Sequence, residues 1–349
     1  MKEQIVEINV NSLEEKYEFN KIAKQASGAV MYRQGKAVLI AAVAVDEKAV
    51  DEDFLPLTVQ YMEKSYAAAK IPGGFIKRET KPGDFETLTS RIVDRSLRPL
   101  FPKGFHYPVT ITVMVVSADS EVDMQVAALH AANAALYISD IPVNTSVGAV
   151  RVGTVGDDIV INPTLTQQDK SELDLLVVGS GKDVVMIEMR TLATENEEGQ
   201  SANEFDESAL VDVIAMASDA IDTATEAYMK AFKPMVREPL ELPLAEDKVD
   251  ESLYEMIENS YAEDVEKAIS HMAKSERSTE LKKVRTKIME ALESEGKEAD
   301  KELVSKVLER YKKTVVRAMI LDKNIRADGR ALDEVRPISI ETNLLPSVH

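Results

Sequence analysis

Strand-like alternation of apolar and polar residues stops in this chain near residue 235 and resumes only at Ile338 and Ile340. A strand buries every second side chain and a helix one face every 3.6, so a switch of period marks a change of fold type. Before the switch, Val6, Ile8 and Val10 alternate with polar residues, as in a half-buried strand. Residues 36–46 carry a nearly continuous Ala/Val/Leu/Ile run, which predicts a central buried strand. Residues 109–116 form a β-branched run ended by a turn at 117–120. A helix is predicted over 122–137, with Val122, Val126, Leu129 and Leu136 at helical spacing and Ala127, Ala128, Ala131, Ala132, Ala134 and Ala135 allowing close approach of a neighbour. Ser120 with Asp123 fits a capping box at its start. Further strands are expected at 147–152, 159–161, 173–178 and 184–189, then a long helix over 208–230. The order strands, helix, strands, helix predicts an α+β sandwich rather than a βαβ repeat.

Pro234, Pro239 and Pro243 suit a linker. Residues 247–321 show no strand signal, and Val304, Val307, Leu308, Tyr311, Val315 and Met319 trace a helical face, so a small all-α domain is expected, broken near Gly296. Asp328-Gly329 reads as a turn, and Ile338 and Ile340 as the start of a strand. The expected division is a core over 1–235, a linker over 236–246, a helical domain over 247–321, and the beginning of a further core over 322–349.

Composition narrows the chemistry. The 349 residues include no cysteine and four histidines (His106, His130, His271, His349), which excludes disulfides and thiolate metal sites and disfavours a histidine-rich one. The apolar run over 37–45 is too short to span a bilayer, and a soluble cytoplasmic protein is the default. A formal charge of −19 argues on its own against binding a polyanion. One segment runs the other way: between Lys77 and Lys103 seven basic residues face four acids, a local excess of +3.

That segment holds the most informative sequence. Pro72-Gly73-Gly74 marks a loop whose tip sets Phe75 beside Lys77 and Arg78. An aromatic beside cations can hold a base and a phosphate together without reading sequence. Asp84 is placed to cap the following helix, on which Arg91, Arg95 and Arg98 fall within about 60° of one another. Leu88 and Ile92 flank this arginine stripe as anchors, and Pro99 and Pro102 end the helix. A guanidinium fork fits phosphate oxygens. The competing reading is a salt-bridged surface, with Asp94 pairing Arg91 or Arg98 and Glu79 partly neutralising Arg78.

No Walker-type loop, G-x-S-x-G or H-E-x-x-H occurs. Asp119, Glu121 and Asp123 could bind Mg²⁺, though turn formation and helix capping explain them more simply. Glu188 reads as an edge residue, and His130 as packed within the alanine-rich helix.

Taken together, these segments resemble the polynucleotide phosphorylase family. The resemblance is carried by Ser27-Gly-Ala-Val-Met, Asp53-Phe-Leu-Pro-Leu-Thr-Val-Gln-Tyr61, Tyr66-Ala-Ala-Ala-Lys-Ile-Pro-Gly-Gly-Phe75, Asp94-Arg-Ser-Leu-Arg-Pro-Leu-Phe-Pro102, Gly148-Ala-Val-Arg-Val-Gly153, Ile161-Asn-Pro-Thr164 and Arg326-Ala-Asp-Gly-Arg330. It implies a ribonuclease PH-like core (ribosomal protein S5 domain 2-like) followed by the helical domain. A second core and KH and OB-type domains would come after them in a ring of three subunits threaded by RNA. The implied activity is that of a polyribonucleotide nucleotidyltransferase. Inorganic phosphate attacks the 3′-terminal phosphodiester of single-stranded RNA and releases nucleoside diphosphates, with Mg²⁺ assisting. Carried over by position, Phe75, Lys77 and Arg78 fall in the loop that grips RNA, and Arg91, Arg95 and Arg98 on the basic helix of the first core. Ile76 and Lys77 stand where the family commonly has a second aromatic and an arginine, and Ser96 replaces a usual proline. A Phe-Gly-His motif is absent around 214–217. Phosphate- and metal-binding residues are expected beyond His349, so no catalytic or metal-ligating residue is assigned, and the chain alone is expected to be inactive. Implied partners are single-stranded RNA, two further copies of the full-length protein and RNA-degradosome proteins, with no membrane. Two other readings stay open: a non-catalytic RNA-binding ring subunit of exosome type, and an acidic metabolic enzyme holding a phosphorylated small molecule at the stripe.

Overall fold

A computed structural model describes all residues except 1–2, 51, 53, 76, 80, 157, 192, 197–198, 203–204, 245–249, 272, 298–299, 343 and 345–349. The chain forms two compact units, Met1–Glu246 and Asp247–His349.

In the first unit, β1 (Gln4–Val10), β2 (Leu13–Phe19), β3 (Gly28–Gln34), β4 (Ala37–Val45), β5 (Leu57–Glu63) and β6 (Val109–Ser117) make one sheet in the order β1-β2-β3-β4-β6-β5. All neighbours are antiparallel except β5 and β6, which run parallel in the register Leu57↔Val109 to Glu63↔Val115. β5 therefore forms a free edge. Helix α1 (Asp84–Leu97) packs on β5, and α2 (Met124–Tyr137) on β3 and β4. A second, antiparallel sheet has the order β10-β9-β7-β8, with β7 (Gly148–Val155), β8 (Asp158–Ile161), β9 (Leu173–Ser180) and β10 (Asp183–Thr191). A short helix α3 (Leu165–Gln168) precedes β9, and β11 (Ala193–Asn196) pairs with β12 (Gly199–Ala202) in a separate ladder. Helix α4 (Glu207–Phe232) lies on β7 and β9 through Val213, Ala217 and Ile221.

α2 is the centre of this unit. Every residue from Met124 to Leu136 except Gln125 is buried, as expected of a helix apolar on all sides. Its cap is Asp123 alone, whose carboxylate accepts from the amides of Gln125 (2.9 Å) and Val126 (3.3 Å), so the expected box with Ser120 does not form. The alanines let β3 come so close that a Cβ on Gly28 would lie 2.0 Å from the Ala135 carbonyl oxygen. Of the Ser27-Gly-Ala-Val-Met motif, Gly28 to Met31 open the third strand. β2 escapes an alternation reading because Glu15 and Glu18 are buried in it. Glu15 accepts from Tyr32 and Tyr228 hydroxyls, each at 2.7 Å, and from His130 Nδ1 at 2.7 Å. A carboxylate only accepts, so Nδ1 carries the proton. His130 Nε2 lies 3.0 Å from the Ala149 amide, so this histidine ties α2 to β2, β7 and α4.

The proline-marked stretch after α4 is strapped to the first unit. The amides of Arg237 and Leu240 donate to the carbonyls of Ile138 (3.2 Å) and Asp140 (2.7 Å), and Leu242 packs against the core.

Among the described residues the second unit holds three helices, α5 (Glu251–Ile269), α6 (Lys274–Ser294) and α7 (Lys301–Lys323), around a core that includes Leu253, Ile257, Val265, Ile288, Val304, Val307 and Leu308. Asp250 and Asp300 cap α5 and α7. Gly296, at φ +72°, turns the chain after α6. Beyond α7, the turn at Asp328-Gly329 is closed by Gly329 donating to the Arg326 carbonyl at 2.9 Å. Ile338 and Ile340 are exposed and, among the described residues, form no strand pairing.

Candidate nucleic-acid interface

The free edge of β5 floors a cleft of about 900 Å³ walled by α1 and by Glu79, Lys81 and Pro82 of the preceding loop. A free edge points every second amide outward with no backbone partner. Here side chains supply the partners. The Tyr61 amide donates to Ser90 Oγ (2.9 Å), the Glu63 amide to Glu86 Oε1 (2.8 Å) and the Ser65 amide to Glu79 Oε1 (2.8 Å). The match is geometric. Two strand residues rise about 6.7 Å and four helical residues about 6 Å, so Ser90 and Glu86 meet alternate amides of a strand running the other way. Glu86 also accepts from the Gly83 amide at 2.7 Å, which makes Gly83 the helix cap and Asp84 the first helical residue, contrary to the expected cap at Asp84.

This edge ladder commits the local acids. Glu79 bonds Lys64 Nζ (2.9 Å) and the Ser65 amide, which together hold its carboxyl below the ordinary range, and it does not neutralise Arg78. Glu63 accepts from the Tyr61 hydroxyl at 2.7 Å. Asp94 is taken by Arg98 in a two-pronged pair at 2.8 and 2.7 Å.

The arginine stripe therefore divides. Arg98 also donates to the carbonyls of Leu55 (2.7 Å) and Leu57 (3.3 Å), holding the entry to β5, and it does not line the cleft. Arg91 and Arg95 are exposed at the cleft wall, and among the described residues no acid pairs with either. Lys81 stands on the same rim. The helix is held by Ile92, Val93 and Leu97, all buried, while Leu88 stays 44% exposed and is no anchor. Ser96, at the position of the usual proline, is buried and turns its hydroxyl back to the Ile92 carbonyl at 2.7 Å.

At the loop tip Phe75 is 100% exposed, with exposed Lys77 and Arg78 following. Gly74 (φ +74°) and Lys77 (φ +51°) both take left-handed backbone, which bends the tip. Ile76 lies outside the described residues.

The three carboxylates after β6 do not converge on a common point. Asp119 accepts from the Lys36 and Glu121 amides, Glu121 from the Thr166 hydroxyl, and Asp123 caps α2 and pairs with buried Arg151. Among the described residues no group of three His, Cys, Asp or Glu could hold a metal ion. The described residues do not fit a Mg²⁺ site. Sequence reasoning counted Lys81 and Glu86 in the basic segment without giving them a site role and did not single out Lys64 or Ser90; the clue to the edge contacts was the spacing of Glu86 and Ser90, one helical turn apart.

Comparison with known proteins decides the family. Residues 14–142 match the 3′ exoribonuclease family, domain 1, and 145–220 its domain 2. Residues 252–331 match the polyribonucleotide nucleotidyltransferase RNA binding domain. The polyribonucleotide nucleotidyltransferase of Sulfurovum sp. (strain NBC37-1) is 74% identical over all of this chain and 50% of its own length.

This chain belongs to the polyribonucleotide nucleotidyltransferase family.

The enzyme of the same name from Campylobacter hominis is 51% identical over 98% of this chain and 48% of its own length. The chain thus spans about half the length of the curated polyribonucleotide nucleotidyltransferases it matches. Its architecture is α+β, a ribonuclease PH-like core followed by an all-α domain. Among solved structures, rice (Oryza sativa) Rrp46 aligns with a TM-score of 0.48 at 14% identity, over 66% of this chain and 98% of that one. No helix among the described residues is long and apolar enough to cross a membrane.

Proposed function

We propose that this chain supplies the RNA-gripping part of a cytoplasmic enzyme that shortens single-stranded RNA from its 3′ end by phosphorolysis. In that reaction a phosphate oxygen attacks the terminal phosphodiester, the 3′ oxygen of the next nucleotide leaves, and a nucleoside diphosphate is released. The relatives are about twice as long, and phosphorolysis, with its phosphate and Mg²⁺, is assigned to a protein of their full length. This chain alone holds RNA without shortening it. The domain reading follows: the core ends near residue 235, a linker covers 236–246, and the helical domain, whose matched profile is named for RNA binding, covers 247–321. Residues 322–349 begin the second core. Three copies of the full-length protein close a ring around the RNA in mRNA decay, and RNA-degradosome proteins are its further partners.

The supporting observations are the outward pair Arg91 and Arg95 on the cleft wall, where every acid is engaged elsewhere, and the exposed loop tip of Phe75, Lys77 and Arg78. The ring at Phe75 stacks on bases and the cations take phosphates, which suits a strand of any sequence. Arg98 is the weakest member of the assigned set, since it is tied to Asp94 and two carbonyls.

The test is a titration of labelled oligo(A) with the chain across a salt series, followed by addition of inorganic phosphate. Salt-dependent binding that flattens in Arg91→Ala/Arg95→Ala, without release of nucleoside diphosphate, is the expected result. An unchanged slope in that variant removes the assignment.

A further inference from the structure

Strand β4 is apolar on both of its sides, and the first unit covers only one of them. Along Ala37–Val45 buried residues alternate with half-exposed ones, and the same alternation runs through Val109–Ser117 of β6. The buried set packs on the side of α2. The opposite set is Val38, Ile40 and Ala42 on β4 and Thr112, Met114 and Val116 on β6, none of them fully buried. A sheet face that meets water ordinarily turns polar at every second residue. This one stays apolar.

The register joins these side chains into one patch. Met31 of β3 pairs with Ile40, Ile40 with Met114, and Met114 with Met62 of β5. Four large apolar residues therefore stand in a row across four strands, each of them half-exposed. At β2 the row ends on Glu18, whose carboxylate is taken by Lys21 and by Arg33 at 2.6 Å. Ala42 and Thr112 form the next row, and Val38 lies on the other side. No charge stands inside the patch, so it suits neither a polyanion nor a charged protein surface.

Its size and shape point to the occupant. Four strands about 4.8 Å apart and three rows about 6.8 Å apart give a flat patch of roughly 400 Å². That is as much contiguous apolar surface as a monomer ordinarily leaves bare. Two such patches face to face, with their polar margins, bury about 1,000 Å², the lower end for a specific interface. A twisted sheet packs well on a second sheet, and a second copy of this chain supplies one. The row is also self-complementary. A two-fold axis along the strands, between β4 and β6, lays Met31 over Met62 of the second copy and Ile40 over Met114. Methionine is unbranched and polarisable, so the ends of the row can adapt to each other.

We infer that the outer face of β3, β4, β6 and β5 is an interface at which two copies of this chain pair, sheet on sheet, about a two-fold axis. The pairing does not rest on RNA binding, and it is a property of this chain, separate from the ring of three proposed for the full-length protein.

The experiment is sedimentation of the chain over a range of micromolar concentrations, where the mass should rise from one copy to two and stop there. Ile40→Gln/Met114→Gln puts two amides per copy at the centre of the face without adding charge. It should raise the dimer dissociation constant a hundredfold or more, since about 1 kcal/mol or more is lost for each amide buried without a partner. Both positions are half-exposed, so the urea midpoint of the diluted variant should match the parent's. A second variant keeps the test independent of that one. The sequence holds no cysteine, so Met31→Cys/Met62→Cys introduces the only thiols. Within one chain these positions are three strand spacings apart, roughly 14 Å, too far for an internal disulfide. Mild oxidation should give a covalent dimer. A parent that sediments as one copy throughout, or that closes at three, overturns the inference. So does a folded Gln variant that pairs as the parent does, or a Cys variant that stays monomeric or links into longer chains.

Discussion

The amide of Glu63 donates to the carboxylate of Glu86 at 2.8 Å, so the outer edge of a strand is satisfied by a helix side chain rather than by another strand. This contact, with its neighbours at Ser90 and Glu79, explains how Arg91 and Arg95 stay unpaired in a cleft lined by as many acids as cations. The acids lining it are occupied by backbone amides, by the Tyr61 hydroxyl, by Lys64 and by Arg98, while Arg91 and Arg95 are left for a ligand.

Glu86→Ala should free the amides of Glu63 and Gly83. Both lie near solvent, so water replaces part of the loss and the cost should be about 1 kcal/mol. Hydrogen exchange at the Glu63 amide reads the change directly: faster exchange is expected in the Ala variant and slower exchange in Glu86→Gln, which keeps an acceptor. Equal protection in all three proteins would mean the bond contributes nothing in solution.

Arg98→Ala should behave unlike Arg91→Ala or Arg95→Ala. It strands Asp94 and two carbonyls at the start of β5, for a loss of about 1–3 kcal/mol. Urea unfolding should show a lower midpoint for this variant and the parent's midpoint for the other two. If the three unfold alike, the division of the stripe drawn here fails.

Tyr228→Phe should make stability less sensitive to acid. Burial pushes the Glu15 carboxyl up, but charge and hydrogen bonding from His130, with the hydroxyls of Tyr228 and Tyr32, outweigh it and leave the pKa lowered. A carboxyl whose folded-state pKa is lowered stabilises the fold above its unfolded value, near 4.3, and that contribution is lost as pH falls through the folded value. Removing the Tyr228 hydroxyl brings the two values together. The variant should therefore be about 1–3 kcal/mol less stable near neutral pH and should lose less on acidification below the unfolded value. Urea midpoints measured from neutral to acid pH test this; curves that stay parallel would discard it.

Much of the architecture was readable from period alone. The 36–46 run became β4 and 109–116 became β6, because both are buried on a central pair of strands where apolar residues dominate. β2 was unreadable for a local reason: Glu15 and Glu18 are inside it, and their partners His130, Tyr228 and Arg33 come from distant elements. The helical spacing of Arg91, Arg95 and Arg98 was correct, but an angular projection does not contain the carbonyls of Leu55 and Leu57 that capture the third arginine. Ile338 and Ile340 have a strand's alternation without a partner, since pattern alone cannot supply a neighbour.

Gly28 sits where any side chain would meet the Ala135 oxygen. At that point the separation of sheet and helix is set by bare atomic radii, with nothing soft between them to compress. β3 and α2 are thus obliged to shift together, and a displacement of one is passed to the other undamped.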